Sequence, residues 1–377
     1  MNTSCFTRRR LLSGMAAAAL AACAHVRAPT QPARLRLIGE ATLPHRLAFR
    51  GTTVGGLSGL DFDPASGLWY ALCDDRSDLA PARFYTLRLP LDGQRLGAPE
   101  LVDVVTLRQG NGLPYPSRRQ GGDVADPEAL RLLPRSRTLL WTSEGDARLG
   151  LDPFVREVTL DGRHLRELSL PDHLHMRAAA STGPRDNLTL EGLALTPDGA
   201  TAWAAMEAAL QQDGPVPRVG QPGGPCRFTQ LDVASGRALR QRAYLPDAIP
   251  RAPLVPGTFA DNGVSEVLMI DAHRMLVLER AYMAGVGNSL RLYEVDTRDG
   301  SNTLDAARLV AGEFRPMAKR LVADFAQLGL SRLDNTEAMA WGPALPNGNR
   351  TLVCLSDDNF NPAQVTQFVA FEYMETA

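Results

Sequence analysis

Residues Asn187–Ala208 read NLTLEGLALTPDGATAWAAMEA. Glu191 opens a short apolar run, Pro197-Asp198-Gly199 supplies a turn, and a second apolar run ends at Glu207. Two apolar runs of strand length joined by turn residues predict a β-hairpin. The pattern recurs in GGLSGLDFDPASGLWYALCDDR (Gly55–Arg76), DPEALRLLPRSRTLLWTSEGD (Asp126–Asp146), GVSEVLMIDAHRMLVLER (Gly263–Arg280) and DNTEAMAWGPALPNGNRTLVCLSDDNF (Asp334–Phe360). The openers are Ser58, Glu128, Glu191, Glu266 and Glu337, and the closing acids are Asp74, Glu144, Glu207, Glu279 and Asp357.

Opener and closer are sixteen positions apart in the first three hairpins, thirteen in the fourth and twenty in the fifth. Sixteen positions hold two strands of ordinary length and a turn. An antiparallel hairpin returns its end beside its start, so each pair of acids belongs at one end of its hairpin. Arranged radially, all pairs point to one mouth. The openers are 70, 63, 75 and 71 residues apart, enough for four strands and generous outer loops per unit.

Outer strands alternate too, as in RFYTLRLP, FVREVTLDG and RFTQLDVASG. The reading is an all-β chain, one β-propeller domain over 34–377 with five blades, and with room for a sixth hairpin in 150–180 or 290–315. RLRLIGEATL at its start and TQFVAFEY at its end are expected to pair and close the ring, which removes exposed sheet edges. One short helix is predicted over Pro316–Leu328, where Met317, Leu321, Val322, Phe325 and Leu328 follow helical spacing. Long Pro- and Gly-rich connections at 108–125, 211–225 and 245–262 are expected to wall one face.

Residues 1–22 read as a targeting segment. Thr7-Arg8-Arg9-Arg10-Leu11-Leu12 matches a twin-arginine signal, and Leu11–Ala22 is too short for a permanent span. Leu20-Ala21-Ala22-Cys23 matches a lipobox, which makes Cys23 the lipidated first residue of the mature chain and residues 23–33 a tether. The expected location is the periplasm, on the outer membrane, with the lipid anchor as the sole membrane contact. Residues 1–22 hold three arginines and no acids, so their removal takes the charge from −2 to −5 and argues against a nucleic-acid partner. The expected form is a monomer. Cys73, Cys226 and Cys354 fit no zinc spacing. Cys73 and Cys354 are either bonded across neighbouring hairpins or buried as free thiols.

The set GGLSGLDFD with LCDDR, DPEAL, NLTLEGLALTPDG, SEVLMIDAHRMLVLER and NTEAMAWGP with SDDNFNPAQVTQFVAFE resembles the phytase-like family of bacterial proteins, "esterase-like activity of phytase". The resemblance covers nearly all of the expected mature chain. It implies a β-propeller, and the family's name implies phosphate-ester hydrolysis aided by calcium. The family's Glu-Gly pair stands as Glu191-Gly192, but as Glu337-Ala338 in the last hairpin.

Ten or more carboxylates at one mouth repel one another unless arginines, backbone amides or cations relieve them. Oxygen ligands without clustered histidines favour Ca²⁺ over zinc. The candidate metal ligands are Asp74, Asp75, Glu128, Glu144, Glu207, Glu279, Glu337, Asp357 and Asp358. Glu191 and Glu266 are the candidates to take a proton from an attacking water. Arg76, Arg280, Lys319 and Asn359 are the candidates to hold a small phosphorylated substrate. Each glutamate has a structural alternative as a strand-end brace paired with arginine.

No G-x-S-x-G elbow is present, since Gly56-Leu57-Ser58-Gly59 has the wrong spacing, and no nucleotide loop is seen. The expected activity is therefore a calcium-dependent phosphoric ester hydrolase. A metal-dependent lactonase or carboxyl-ester hydrolase, and a non-catalytic binding or scaffold lipoprotein, are the alternatives.

Overall fold

The computed structural model describes Met1 and residues 34–177 and 181–375. The proposed signal segment, Cys23 and the tether lie outside the described residues. Residues 34–375 form five four-stranded antiparallel sheets set as blades of a propeller. Blade 1 runs Leu57–Asp63, Leu68–Cys73, Arg83–Arg88, Glu100–Thr106, and blade 2 runs Pro127–Leu133, Thr138–Ser143, Phe154–Thr159, His164–Leu168. Blade 3 is Leu190–Leu195, Thr201–Met206, Cys226–Asp232, Ala238–Tyr244, and blade 4 is Ala260–Met269, Arg274–Met283, Gly287–Asp296, Lys319–Asp324. Blade 5 is Thr336–Trp341, Arg350–Ser356 and Gln367–Met374, completed by Arg34–Thr42.

The ring closes as expected. Arg34–Thr42 pairs antiparallel with Gln367–Met374, from Arg34 against Met374 to Thr42 against Gln367. Innermost strands of successive blades touch around the axis. Five apolar cores fill the five gaps between blades. In the gap between blades 1 and 2, buried Trp141 meets Phe154 and Tyr115 edge-on at 4.9 and 5.5 Å. Such ring pairs add about 0.5–1.5 kcal/mol each beyond their buried area. Near the axis the backbones crowd. A Cβ on Gly192 would lie 3.0 Å from the Val267 amide nitrogen of the next blade, so any larger residue would push these strands apart by a few tenths of an ångström.

The structure replaces one expectation, the helix over 316–328, and decides two points that the sequence left open. Segment 150–180 contains the outer strands of blade 2, and 290–315 contains the end of blade 4's third strand and its connection, so neither holds a sixth blade. Lys319–Asp324 is the outer strand of blade 4 rather than helix, and only Phe325–Gln327 forms a 3-10 turn, started by Asp324 accepting from the Ala326 amide. The open edge of Gly287–Asp296 takes up that segment's backbone groups in a ladder, which outweighs a five-residue helical pattern. Cys73 and Cys354 are unbonded, and all three described cysteines are buried free thiols. Among the described residues no helix is long and apolar enough to cross a membrane.

Candidate metal centre and active site

Every blade carries the same irregularity at the start of its innermost strand. The ladder slips between Leu57 and Gly59, Pro127 and Leu130, Leu190 and Gly192, Val264 and Glu266, and Thr336 and Ala338. A β-bulge turns the extra residue out of the pleat. The residues so placed are Ser58, Glu128, Glu191, Ser265 and Glu337. Blade 4 is thus read one position off in the sequence, and its opener is Ser265. Both serines make one bond to the next blade: Ser58 Oγ donates to Pro127 O at 3.2 Å and Ser265 Oγ to Thr336 O at 3.1 Å.

The closing positions follow the same register. Backbone amides of Asp74, Glu144, Glu207 and Asp357 donate to Gly56, Asp126, Thr189 and Asn335 carbonyls at 2.6–3.0 Å. In blade 4 the equivalent partner, Gly263, faces Arg280, while Glu279 faces Val264. An arginine therefore stands where the other blades place an acid.

These residues meet in a cavity of ≈ 670 Å³, lined by Asp74, Glu128, Glu144, Glu191, Glu207 and Glu337, with Asp126, Asp261, Arg76 and Arg280 among the others. Carboxylate oxygens of Asp126, Glu128 and Glu144 lie within 4.8 Å of one another, and so do those of Glu144, Glu191 and Glu207. Glu128 and Glu191 are 8% and 7% exposed. Among the described residues neither has a hydrogen-bond or ion-pair partner. Burial lifts the carboxyls of Asp74 and Glu144 to about 7, and those of Glu128, Glu191, Glu207, Asp126 and Asp357 well above the usual range. Neighbouring carboxylates add to the rise, and burial also raises Glu337 against the pull of Arg280.

Charge relief inside the cavity is sparse. Arg76 pairs with Asp126 and Asn187. Arg280 Nη2 sits 3.6 Å from both Glu207 and Glu337, and its buried Nε has no hydrogen-bond partner among the described residues. Glu144 accepts from the Thr189 amide at 2.6 Å. Asp357 is buried with one oxygen accepting from the Asn359 amide at 3.0 Å and the other unpartnered. Asn359 lines the cavity on left-handed backbone, φ 46°, followed by Phe360 at φ 51°.

Five candidates are spent on structure. Glu266 is fully buried off the mouth, accepting from Arg131 Nη2 at 2.8 Å and from the Leu193 and Val267 amides. Arg131 also donates to the carbonyls of Leu60, Leu130, Val267 and Met339, so this pair ties the innermost strands of all five blades. Asp75 touches the cavity, but its oxygens accept from Arg83 and from the amides of Asp78, Leu79 and Ala80. Asp358 accepts from the Gly56 and Phe360 amides and faces His45 Nδ1 at 3.1 Å. Glu279 accepts from Tyr244, Lys319, Asn262 and the Asp247 amide. Lys319 is held there, 2.6 Å from Asp247 and over the Tyr293 ring, and does not line the mouth.

Sequence reasoning passed over Asp126 and Asp261. The signal for Asp126 was its place two residues before Glu128, on the same side of an extended chain. Of the three long connections, 108–125 brings Arg118 and 245–262 brings Phe259 and Asp261 to the cavity, whereas 211–225 does not line it.

The chain belongs to the phytase-like family: the family model described as "Esterase-like activity of phytase" matches residues 52–360. No curated protein matches the chain. Among solved structures it is similar to the Pseudomonas aeruginosa periplasmic gluconolactonase PpgL, at 16% identity, 89% of each chain and TM-score 0.34. A GH43 β-1,3-galactosidase matches at 10% identity, 88% of this chain, 59% of that chain and TM-score 0.45. Hydrazine synthase of Kuenenia stuttgartiensis matches at 12% identity, 88% of this chain, 67% of that chain and TM-score 0.35. These likenesses are too distant to bear on chemistry. The family description and the acidic mouth together suggest a hydrolase whose carboxylates could bind a metal ion.

Proposed function

We propose that the protein is an exported, calcium-dependent phosphoric ester hydrolase that works at the acidic mouth. The observation that carries this reading is the pair of buried, unpartnered glutamates, Glu128 and Glu191, each within one of the two carboxylate triads. Buried charges without a partner are costly, and an all-oxygen set suits a hard cation. Asp126, Glu128, Glu144, Glu191 and Glu207 would hold calcium. When bound, it would neutralise phosphoryl oxygens and lower the pKa of a coordinated water.

The remaining residues have separate tasks. Arg280, with its free Nε and loose pairs, holds a phosphoryl oxygen. Arg76, fixed by Asp126 and Asn187, braces the opposite wall. Glu191 falls within a triad, so the proton of the attacking water passes to Asp74. Asp74 lines the cavity, belongs to neither triad and has no side-chain partner among the described residues. Asn359 reaches substrate from the rim.

The direct test is hydrolysis of aryl phosphate mono- and diesters by the purified mature chain, with calcium and after chelation. Calcium-restored turnover is expected. Absence of turnover on both esters in both conditions overturns the reading, and lactone hydrolysis in its place would assign the mouth to carboxyl esters. Export and anchoring rest on Thr7–Leu12 and Cys23. Cys23→Ala is expected to move the protein from the membrane fraction to the soluble periplasm.

A further inference from the structure

A second cavity, ≈ 680 Å³, opens from the mouth and shares Phe259, Asp261, Arg280, Asn335 and Asn359 with it. Its other walls come from blade 4, the 332–334 segment and the turn at 361–364. Their character differs from that of the mouth. Tyr282, Val286, Asn288, Asn361 and Gln364 are uncharged. The two wall charges that belong to this cavity alone, Arg332 and Asp334, pair with each other at 2.8 Å. Phe259 is 64% exposed, and its ring lies against Tyr282 at 6.1 Å between centroids and 35° between planes. An exposed phenylalanine on a cavity wall beside a second ring is a site for apolar contact.

Strand geometry joins this wall to the chemistry. Arg280 and Tyr282 are two residues apart on one strand, so they face the same side about 7 Å apart. Both line the side cavity. A group held by Arg280 therefore presents its next atoms to the Phe259–Tyr282 pair.

We infer that the side cavity binds the uncharged, aromatic or apolar body of an ester whose anionic head sits at Arg280. The substrate class is then a phosphate ester with one reacting head and an uncharged ring or apolar group, not a polyol phosphorylated at every position. The charges agree. Few cationic side chains face many acids at the mouth, and none in the side cavity is left over for further phosphates. This inference rests on the proposed phosphoryl chemistry at the mouth.

The test is calorimetric binding of two non-hydrolysable heads to the calcium-loaded mature chain, phenylphosphonate and methylphosphonate, with inositol hexakisphosphate as the polyanion. Phenylphosphonate is expected to bind about tenfold tighter than methylphosphonate, the effect of burying most of one ring. Phe259→Ala is expected to bring that ratio to about 1 without changing methylphosphonate affinity, and Phe259→Trp to restore it. Phe259 is exposed, so its removal leaves the core untouched. Equal binding of the two phosphonates, a ring preference that survives Phe259→Ala, or tightest binding by the hexakisphosphate overturns the inference while the phosphoryl reading stands. If no phosphonate or phosphate binds, both fall.

Discussion

Two sets of buried acids share the propeller's axis. At one level Glu266 is fully buried with an arginine and two amides on its oxygens, and Arg131 reaches backbone from four blades. At the mouth Glu128 and Glu191 are nearly as buried, with no partner among the described residues. The contrast teaches that burial does not separate a structural acid from a ligand-binding one. Hydrogen-bond saturation does. A carboxylate whose two oxygens already accept an arginine and two amides has little left to offer a cation, while an unpartnered one destabilises the fold until something arrives.

The strongest way to break this contrast is at the axle. Arg131→Leu removes the counter-charge of buried Glu266 and the bonds that Arg131 makes to four blades, and is expected to cost about 3–5 kcal/mol in chemical denaturation. The corresponding change at the mouth should act on the ligand instead. Glu144 belongs to both triads, so Glu144→Gln is expected to weaken calcium binding by about 100-fold or more, read by calorimetry, with the calcium-free protein no less stable. Loss of stability comparable to that of Arg131→Leu would erase the distinction between the two levels.

Asp74→Asn sharpens the division of labour within the mouth. It is expected to lower kcat by about 100-fold while calcium affinity stays within a few-fold, because it removes a proton acceptor and not a triad member. A joint loss of calcium and turnover would return Asp74 to the ligand set.

The smallest effect concerns pH. Mouth carboxyls have folded-state pKa values raised above their unfolded ones, to about 7 for Asp74 and Glu144. The folded chain then holds more protons than the unfolded chain between about pH 4 and pH 7, so stability without calcium falls as pH rises through that window. Stability is expected to fall progressively across that window, and the fall to flatten when calcium is present. Thermal denaturation against pH, with and without chelator, reads both slopes.

Much of this was legible in the sequence, for physical reasons that also explain the misses. Hairpins declared themselves through turn residues and alternation, and the strand that closes the ring through its match to an open blade. The six cavity acids contributed by openers and closers, Asp74, Glu128, Glu144, Glu191, Glu207 and Glu337, were visible as ends of the repeated hairpins, while Asp357 is buried outside the cavity lining. The misses come from register. Within each acidic doublet the second carboxylate is taken up locally, Asp75 by Arg83 and three amides and Asp358 by the Gly56 and Phe360 amides, so neither doublet supplies two free mouth ligands. The bulge in blade 4 falls on Ser265, and one position sends Glu266 to the axle and Glu279 into the blade. Ser58 in blade 1 was the clue, since a serine opener there predicts one elsewhere. The helical spacing of 316–328 was local and lost to an open sheet edge.

The strand that completes blade 5 also sets a timetable for synthesis. Arg36 and Glu372, bonded in the closed ring, are 336 residues apart. Arg34–Thr42 leaves the ribosome long before Gln367–Met374, and its partner edge does not exist until the residues around Glu372 have been made. At about 5–20 residues per second that is an interval of roughly 20–60 s with the first strand unpaired. The arginines of RLRLIGEATL are well suited to that wait, because charged side chains on an open edge discourage the wrong strand from pairing before the right one is made.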